Sequence, residues 1–215
     1  MIEIFSLSNL IIRYWIAKIS KRNPIATRVI GTEKLYESNL VSLIELNREE
    51  WKSHTLNFHY LSNYYYDLKI DGFNISFERL KFNEPYENMP DDMDRLFQDF
   101  WDDIKAWGIV EDGELVAVIE TVVEEWSNRL RVSELWIADS YRRQGIGHQL
   151  MDLALKRAKD EGYRALILET QSGNDPAISF YLKYGFKLIG FDTCAYSNND
   201  MSEQNVRLEL GYLLD

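Results

Sequence analysis

"YRRQGIGHQL", Tyr141–Leu150, holds two glycines and an arginine pair at the point where the apolar spacing changes from alternation to a helical repeat. Upstream, "LRVSELWIA" (Leu130–Ala138) alternates like a strand, with Leu135 and Ile137 on one face and Glu134 and Trp136 on the other. Downstream, Ile146, Leu150, Leu153, Ala154 and Ala158 mark a helical stripe that ends near Gly162, a residue suited to a helix C-cap. "RALILET" (Arg164–Thr170) follows as a buried strand. A strand, glycine turn, helix and strand in this order form a crossover, which makes the two strands parallel neighbours.

On either side of this unit the pattern is antiparallel. "WGIVEDGELVAVIETVVEEW" (Trp107–Trp126) reads as two strands about an Asp112-Gly113 turn, because Asp-Gly supplies the positive φ that tight hairpins need. Ser127-Asn128-Arg129 turns the chain again. A second helix is expected from Pro176 to Tyr184, stopped by Gly185, followed by strands near Phe186–Tyr196 and Val206–Leu213. Toward the N-terminus, Tyr60–Phe82 reads as extended chain with a turn at Asp71-Gly72. The spacing of Leu35, Leu40, Leu43 and Ile44 predicts helix within Gly31–Trp51. Residues 84–103 carry eight acidic residues and one arginine, the pattern of a solvated loop and helix start.

The 215 residues, 46% of them hydrophobic, suffice for one substantial core, so the expected organisation is a basic amphipathic extension over residues 1–31 and one domain over 32–215. Residues 1–31 have five Lys/Arg against one Glu, net +4, which leaves −15 for the rest of a chain whose total is −11. So acidic a body repels polyphosphate and attracts cations, which argues against a nucleic-acid partner. The opening apolar run is broken by Glu3 and Arg13 and is too short to span a bilayer, so no membrane partner is expected. The single cysteine, Cys194, excludes an internal disulfide, and the three histidines show no ligand spacing, so no metal site and a reducing, cytoplasmic setting are expected.

A helix start presents N–H groups without intrahelical partners and the positive end of the helix dipole. Glycines at 145 and 147 would let a phosphate approach the backbone, and Arg142 and Arg143 add charge, so the turn reads as a pyrophosphate seat. The dinucleotide fingerprint fails because its third glycine position is Leu150, and the Gly-Lys-Ser/Thr of a Walker loop is absent.

Arg142, Gly145 and Gly147, taken with Asn174, Ala177, Phe180, Tyr181, Lys183, Gly185 and Phe186 downstream, resemble the signature of the GCN5-related N-acetyltransferase family over about residues 107–213. The resemblance implies an α/β (α+β) fold with a mixed, mostly antiparallel sheet flanked by helices, its central parallel strand pair splayed around acetyl-CoA. It implies acetyl-CoA as cosubstrate, with pantetheine along Trp136, Ile137 and Ala138. The pyrophosphate would rest on Arg142, Arg143, Gln144, Gly145, Ile146, Gly147 and His148. Asn174 would hold the pantetheine amide, Lys183 belongs to the same binding element, and Tyr181 would give a proton to the leaving thiolate.

The chemistry agrees with those roles. A phenol of ordinary pKa near 10 can supply that proton, and an amine that is mostly ammonium at neutral pH needs a base. Glu134 is the first candidate, with Glu120 and Glu169 as alternatives that could instead contact substrate. "LETQ" at Leu168–Gln171 and the Asp192-Thr193 pair spaced after Gly185-Phe186 further resemble streptothricin acetyltransferases. That likeness implies a small cationic amine as acceptor, with peptide or polyamine acetylation, or a non-catalytic acetyl-CoA sensor, as alternatives. Dimers are common in such folds, so a homodimer is a possible assembly.

Overall fold

The computed structural model describes residues 42–88 and 94–214. The extension expected over residues 1–31 lies outside them, as does most of the helix expected within Gly31–Trp51. In the described part of that stretch the long helix is replaced by a short strand, β1 (Leu43–Glu45), and one helical turn, α1 (Arg48–Trp51). Two local causes override the helical spacing. β1 pairs antiparallel with β4 (Lys105–Glu111), and Asn47 starts a new helix by accepting the Glu49 amide at 2.8 Å.

Strands β2 (Leu61–Asp71) and β3 (Asn74–Glu87) form a separate antiparallel ribbon that turns at Gly72, where φ is +59°. Its registry is long because aromatic and β-branched residues alternate with polar ones across both strands. The ribbon reaches farther than residue 82, into the acidic stretch that sequence alone reads as loop.

The main sheet adds β5 (Glu114–Glu124), β6 (Arg129–Ile137), β7 (Ala165–Gln171), β8 (Lys187–Asp192) and β9 (Arg207–Leu213), in the order β1-β4-β5-β6-β7-β9-β8. Among the described strands only β6 and β7 pair in parallel. Asp112 and Gly113, at φ +52° and +85°, make the predicted hairpin turn between β4 and β5. Helix α2 (Ile146–Asp160) is the crossover, and its buried stripe of Ile146, Leu150, Met151, Ala154 and Ala158 covers β5, β6 and β7. Helix α3 (Asp175–Tyr184) stops at Gly185, φ +116°, whose amide returns to the Tyr181 and Leu182 carbonyls.

The two faces of the sheet carry different cores. Leu130, Val132, Leu166 and Leu168 pack with α2 and α3, whereas Val118 packs on the opposite face with Leu46, Leu56, Leu96 and Phe97. The β2–β3 ribbon is attached at the C-terminal end of β7. The Tyr66 amide donates to the Ser172 carbonyl at 2.9 Å, Arg79 grips Asp175 at 2.6 and 3.0 Å, and Leu68 joins Ile178, Val206 and Leu208.

Candidate active site

β6 and β7 pair only over Arg129–Arg131 and Ala165–Ile167, after which each turns to its other neighbour and the two part. A β-bulge helps to open the gap. Thr121 lies opposite Val132 and Glu120 opposite Glu134, so Ser133 is the extra residue on β6. At the root of the split, buried Arg131 reaches Glu124 at 2.6 Å, Glu209 at 3.1 Å and Glu169 at 3.5 Å, tying β5, β6, β7 and β9 together where pairing ends.

Backbone direction along β6 alternates, and the Ala138 amide donates to Val116 at 2.9 Å, so residues 134, 136 and 138 bond toward β5. Leu135 and Ile137 therefore turn their backbone groups to the open edge. Of the stretch expected to line an extended ligand, Ile137 turns its backbone N–H to the open edge, whereas Trp136 and Ala138 turn theirs to β5 and Leu135 shares the open side, because hydrogen-bonding direction, unlike side-chain type, cannot be read without the register. Trp136 instead donates its indole N–H to the Asn57 carbonyl at 2.8 Å.

Beyond β6 the chain enters the glycine turn. Gly145 is the N-cap of α2 at φ +84°, and the backbone there opens to free space with nothing within 4 Å of the position a Cβ would take. Arg143 is exposed at the same turn, also with positive φ, +62°. The first amides of α2, at Ile146 and Gly147, lead into the helix with no carbonyl four residues earlier inside it, which is the donor set an anion uses.

Three residues of this turn act differently from expectation. The Arg142 guanidinium donates to the Ile137 and His59 carbonyls, both at 2.9 Å, and pairs with Asp139 at 3.0 Å, so it ties the turn to β6 and to the segment before β2. Gln144 caps the Ser140 carbonyl at 2.9 Å. Gly147 is small for packing. An added Cβ would lie 3.2 Å from the Phe180 ring and 3.4 Å from Ile137, between the helices rather than over the anion seat. Gly147→Val is accordingly expected to cost about 1–3 kcal/mol by overpacking, read as a thermal midpoint lower by several degrees. His148 is exposed and its ring stands edge-on to Phe180 at 5.1 Å, and Lys183 is exposed on α3.

Glu134 and Tyr181 come from opposite sides of the split. The Tyr181 phenol is buried and its pKa is pushed up by burial and, secondarily, by the Glu134 carboxylate. No side chain among the described residues hydrogen-bonds its hydroxyl, and that oxygen is not sealed from solvent. The Glu134 carboxyl is raised well above the ordinary range by burial, then by Asp94, Glu120 and Glu169. Neither a cation nor a hydrogen-bond donor among the described residues meets it.

The other two carboxylates are committed. Glu120 is 1% exposed and accepts the Phe97 amide at 2.7 Å and the Ser133 hydroxyl at 2.9 Å, which removes it from direct contact with an acceptor. Glu169 is paired with Arg207 at 2.7 Å and Arg131, and the Tyr196 hydroxyl lies 3.5 Å away. Asn174 caps α3 with Oδ1 on the Ala177 amide at 3.2 Å, so a ligand contact there would use its Nδ2 group.

Asp94 and the Ser133 bulge escape the sequence reading, although the bulge leaves a trace. The apolar positions 130, 132, 135 and 137 contain one step of three in a run of twos. Asp94 has no such signal, since it reaches Glu134 only through tertiary folding.

Comparison with known proteins gives a consistent picture. A model of the acetyltransferase (GNAT) family matches residues 74–186, just over half of the chain and including Glu134, the glycine turn and Tyr181. A streptothricin acetyltransferase of Escherichia coli is 33% identical over 95 residues, 44% of this chain and 54% of that protein. Its counterpart in Streptomyces lavendulae is 34% identical over 85 residues, 40% of this chain and 45% of that protein. The matches thus span about half the length of these curated relatives. A crystal structure of nourseothricin acetyltransferase shares the fold with TM-score 0.67 and 23% identity, covering 81% of this chain and 98% of the other. A Bacillus anthracis protein solved with acetyl coenzyme A does so with TM-score 0.63 and 21% identity, covering 82% and 100%.

Proposed function

The chain belongs to the acetyltransferase (GNAT) family, and we propose that it moves an acetyl group from acetyl-CoA to a primary amine of a small cationic acceptor of the streptothricin class. The observation that carries this reading is the parting of β6 and β7 after Arg131, with Glu134 and Tyr181 on the two sides of the gap and the α2 glycine turn at its end.

The residues present suit acetyl-CoA. The backbone groups of Leu135 and the Ile137 amide offer a strand edge for an amide-bearing arm, the Ile137 carbonyl being held by Arg142, and the α2 amides with Arg143 suit a pyrophosphate. Once bound there, acetyl-CoA supplies an acyl group activated as a thioester. The chain contributes two proton-handling atoms. A Glu134 oxygen accepts a proton from the acceptor ammonium, and its raised proton affinity narrows the gap between carboxylate and amine. Tyr181 keeps its phenolic proton across the working range and holds it for the sulfur that departs. The buried ring, packed on Phe180 and Phe186, keeps that hydroxyl in one orientation.

Acceptor choice rests on charge. Glu134, with Asp94 and Glu169 near it and no cation of its own, draws an ammonium group inward and penalises anions. The 33–36% identity to streptothricin acetyltransferases over 73–95 residues favours a streptothricin-like amine over a peptide. Thiol release from acetyl-CoA, measured against streptothricin, aminoglycosides, polyamines, lysine and short peptides, is expected to give the highest kcat/KM with streptothricin. Higher kcat/KM with a peptide or polyamine would move the acceptor, and acetyl-CoA binding without release on any amine would make the chain a sensor.

A further inference from the structure

Glu120 has no part in the chemistry above, cannot reach solvent, and yet stands directly across the sheet from the residue that does the work. Facing pairs on neighbouring strands bring their Cβ atoms to about 5 Å, and like charges so placed destabilise a sheet. A chain selected for stability alone has no use for the pair. The surroundings are built to hold it. The bulge residue Ser133 gives its hydroxyl to one Glu120 oxygen and the Phe97 amide binds the other, and Phe97 adopts a left-handed φ of +56° in the segment that presents that amide. Two donors aimed at two oxygens are the environment of an ionised carboxylate.

We propose, resting on the reading of Glu134 as the base, that Glu120 is a positioning residue whose locked negative charge across β5 and β6 keeps the Glu134 carboxyl ready to take a proton from the acceptor. One bulge thereby does two things, opening the strand pair and tethering the tuning charge. The groups facing Glu134 are Asp94 on the segment before β4, Glu120 on β5, Glu169 on β7 and Tyr181 on α3. Glu169 is offset by Arg131 and Arg207, and Glu120 lies directly opposite Glu134 in the sheet. Burial raises the Glu120 pKa above the usual carboxylate value, opposed by the hydrogen bonds from the Phe97 amide and the Ser133 hydroxyl and by the Arg48 charge on α1.

The sign follows directly. A neighbouring anion makes Glu134 hold its proton more tightly, so removing that anion must make it ionise at lower pH. Glu120→Gln keeps the volume, can still accept the Phe97 amide, and lets Ser133 accept from the new amide. Its thermal midpoint is expected to stay level or rise. The expected result is an acid limb of the kcat/KM profile moved about one pH unit downward, the size of a single like-charge interaction at this separation. An unmoved limb in a folded E120Q overturns the proposal, while the Glu134 reading stands or falls separately on whether E134Q removes the limb. If E120Q does not fold, the wild-type protein labelled with ¹³C at glutamate Cδ decides by NMR titration. Two-step curves shared by the Glu120 and Glu134 resonances support the coupling, and independent single steps overturn it.

Discussion

Glu134→Gln is expected to lower kcat by about 10³-fold, the middle of the range that positioned general bases contribute. The substitution is isosteric and relieves a like-charge pair with Glu120, so the fold has no reason to suffer. What it removes is a carboxylate at the split that neither a guanidinium nor a hydrogen-bond donor among the described residues already occupies. With the base gone, only the small neutral fraction of an amine near pKa 10 can react at neutral pH. KM for acetyl-CoA is expected to change little, because the binding edge at Leu135 and Ile137 uses backbone. Steady-state thiol release with saturating amine reads this, and a kcat within threefold of wild type would remove Glu134 from the mechanism.

The second large effect is at Tyr181. Tyr181→Phe preserves the ring, which packs against Phe180 at 5.4 Å and Phe186 at 5.9 Å between centroids, and deletes only the hydroxyl. A loss of about 10²-fold in kcat is expected, at the lower end for a general acid because a thiolate is a tolerable leaving group on its own. The loss should shrink when the thioester is replaced by one whose thiol is more acidic, since that leaving group needs less help. A kcat unchanged in Tyr181→Phe would reduce the residue to a packing role.

Much of the fold was legible because the signals were local. Gly72, the Asp112-Gly113 pair and the glycines at 145, 162 and 185 all sit at positive φ, where glycine is favoured and an Asp-Gly turn is readable. The change of period at Gly145 marked the crossover, and with it the parallel strand pair. Residues 43–47 were misread because helical spacing there competes with pairing to β4, a contact more than 60 residues away in the chain.

The site was legible in kind and less so in detail. The family resemblance pointed to Glu134 and Tyr181, but the division of labour among Glu120, Glu134 and Glu169 depends on which of them meets a donor. Those donors, the Phe97 amide, Arg131 and Arg207, come from three separate parts of the chain. Gly147 shows the same limit. Its motif suggests a phosphate contact, and only the packing of α2 on Phe180 shows what its missing side chain makes room for.

The pH dependence of kcat/KM, measured for the wild type and E134Q with one good acceptor, tests the central claim most directly. The account predicts a wild-type rate that falls toward acid as Glu134 takes up its proton, with that limb well above the ordinary carboxylate range. It predicts that E134Q loses this limb and keeps only the one set by the amine itself. Profiles of the same shape in both proteins would contradict it.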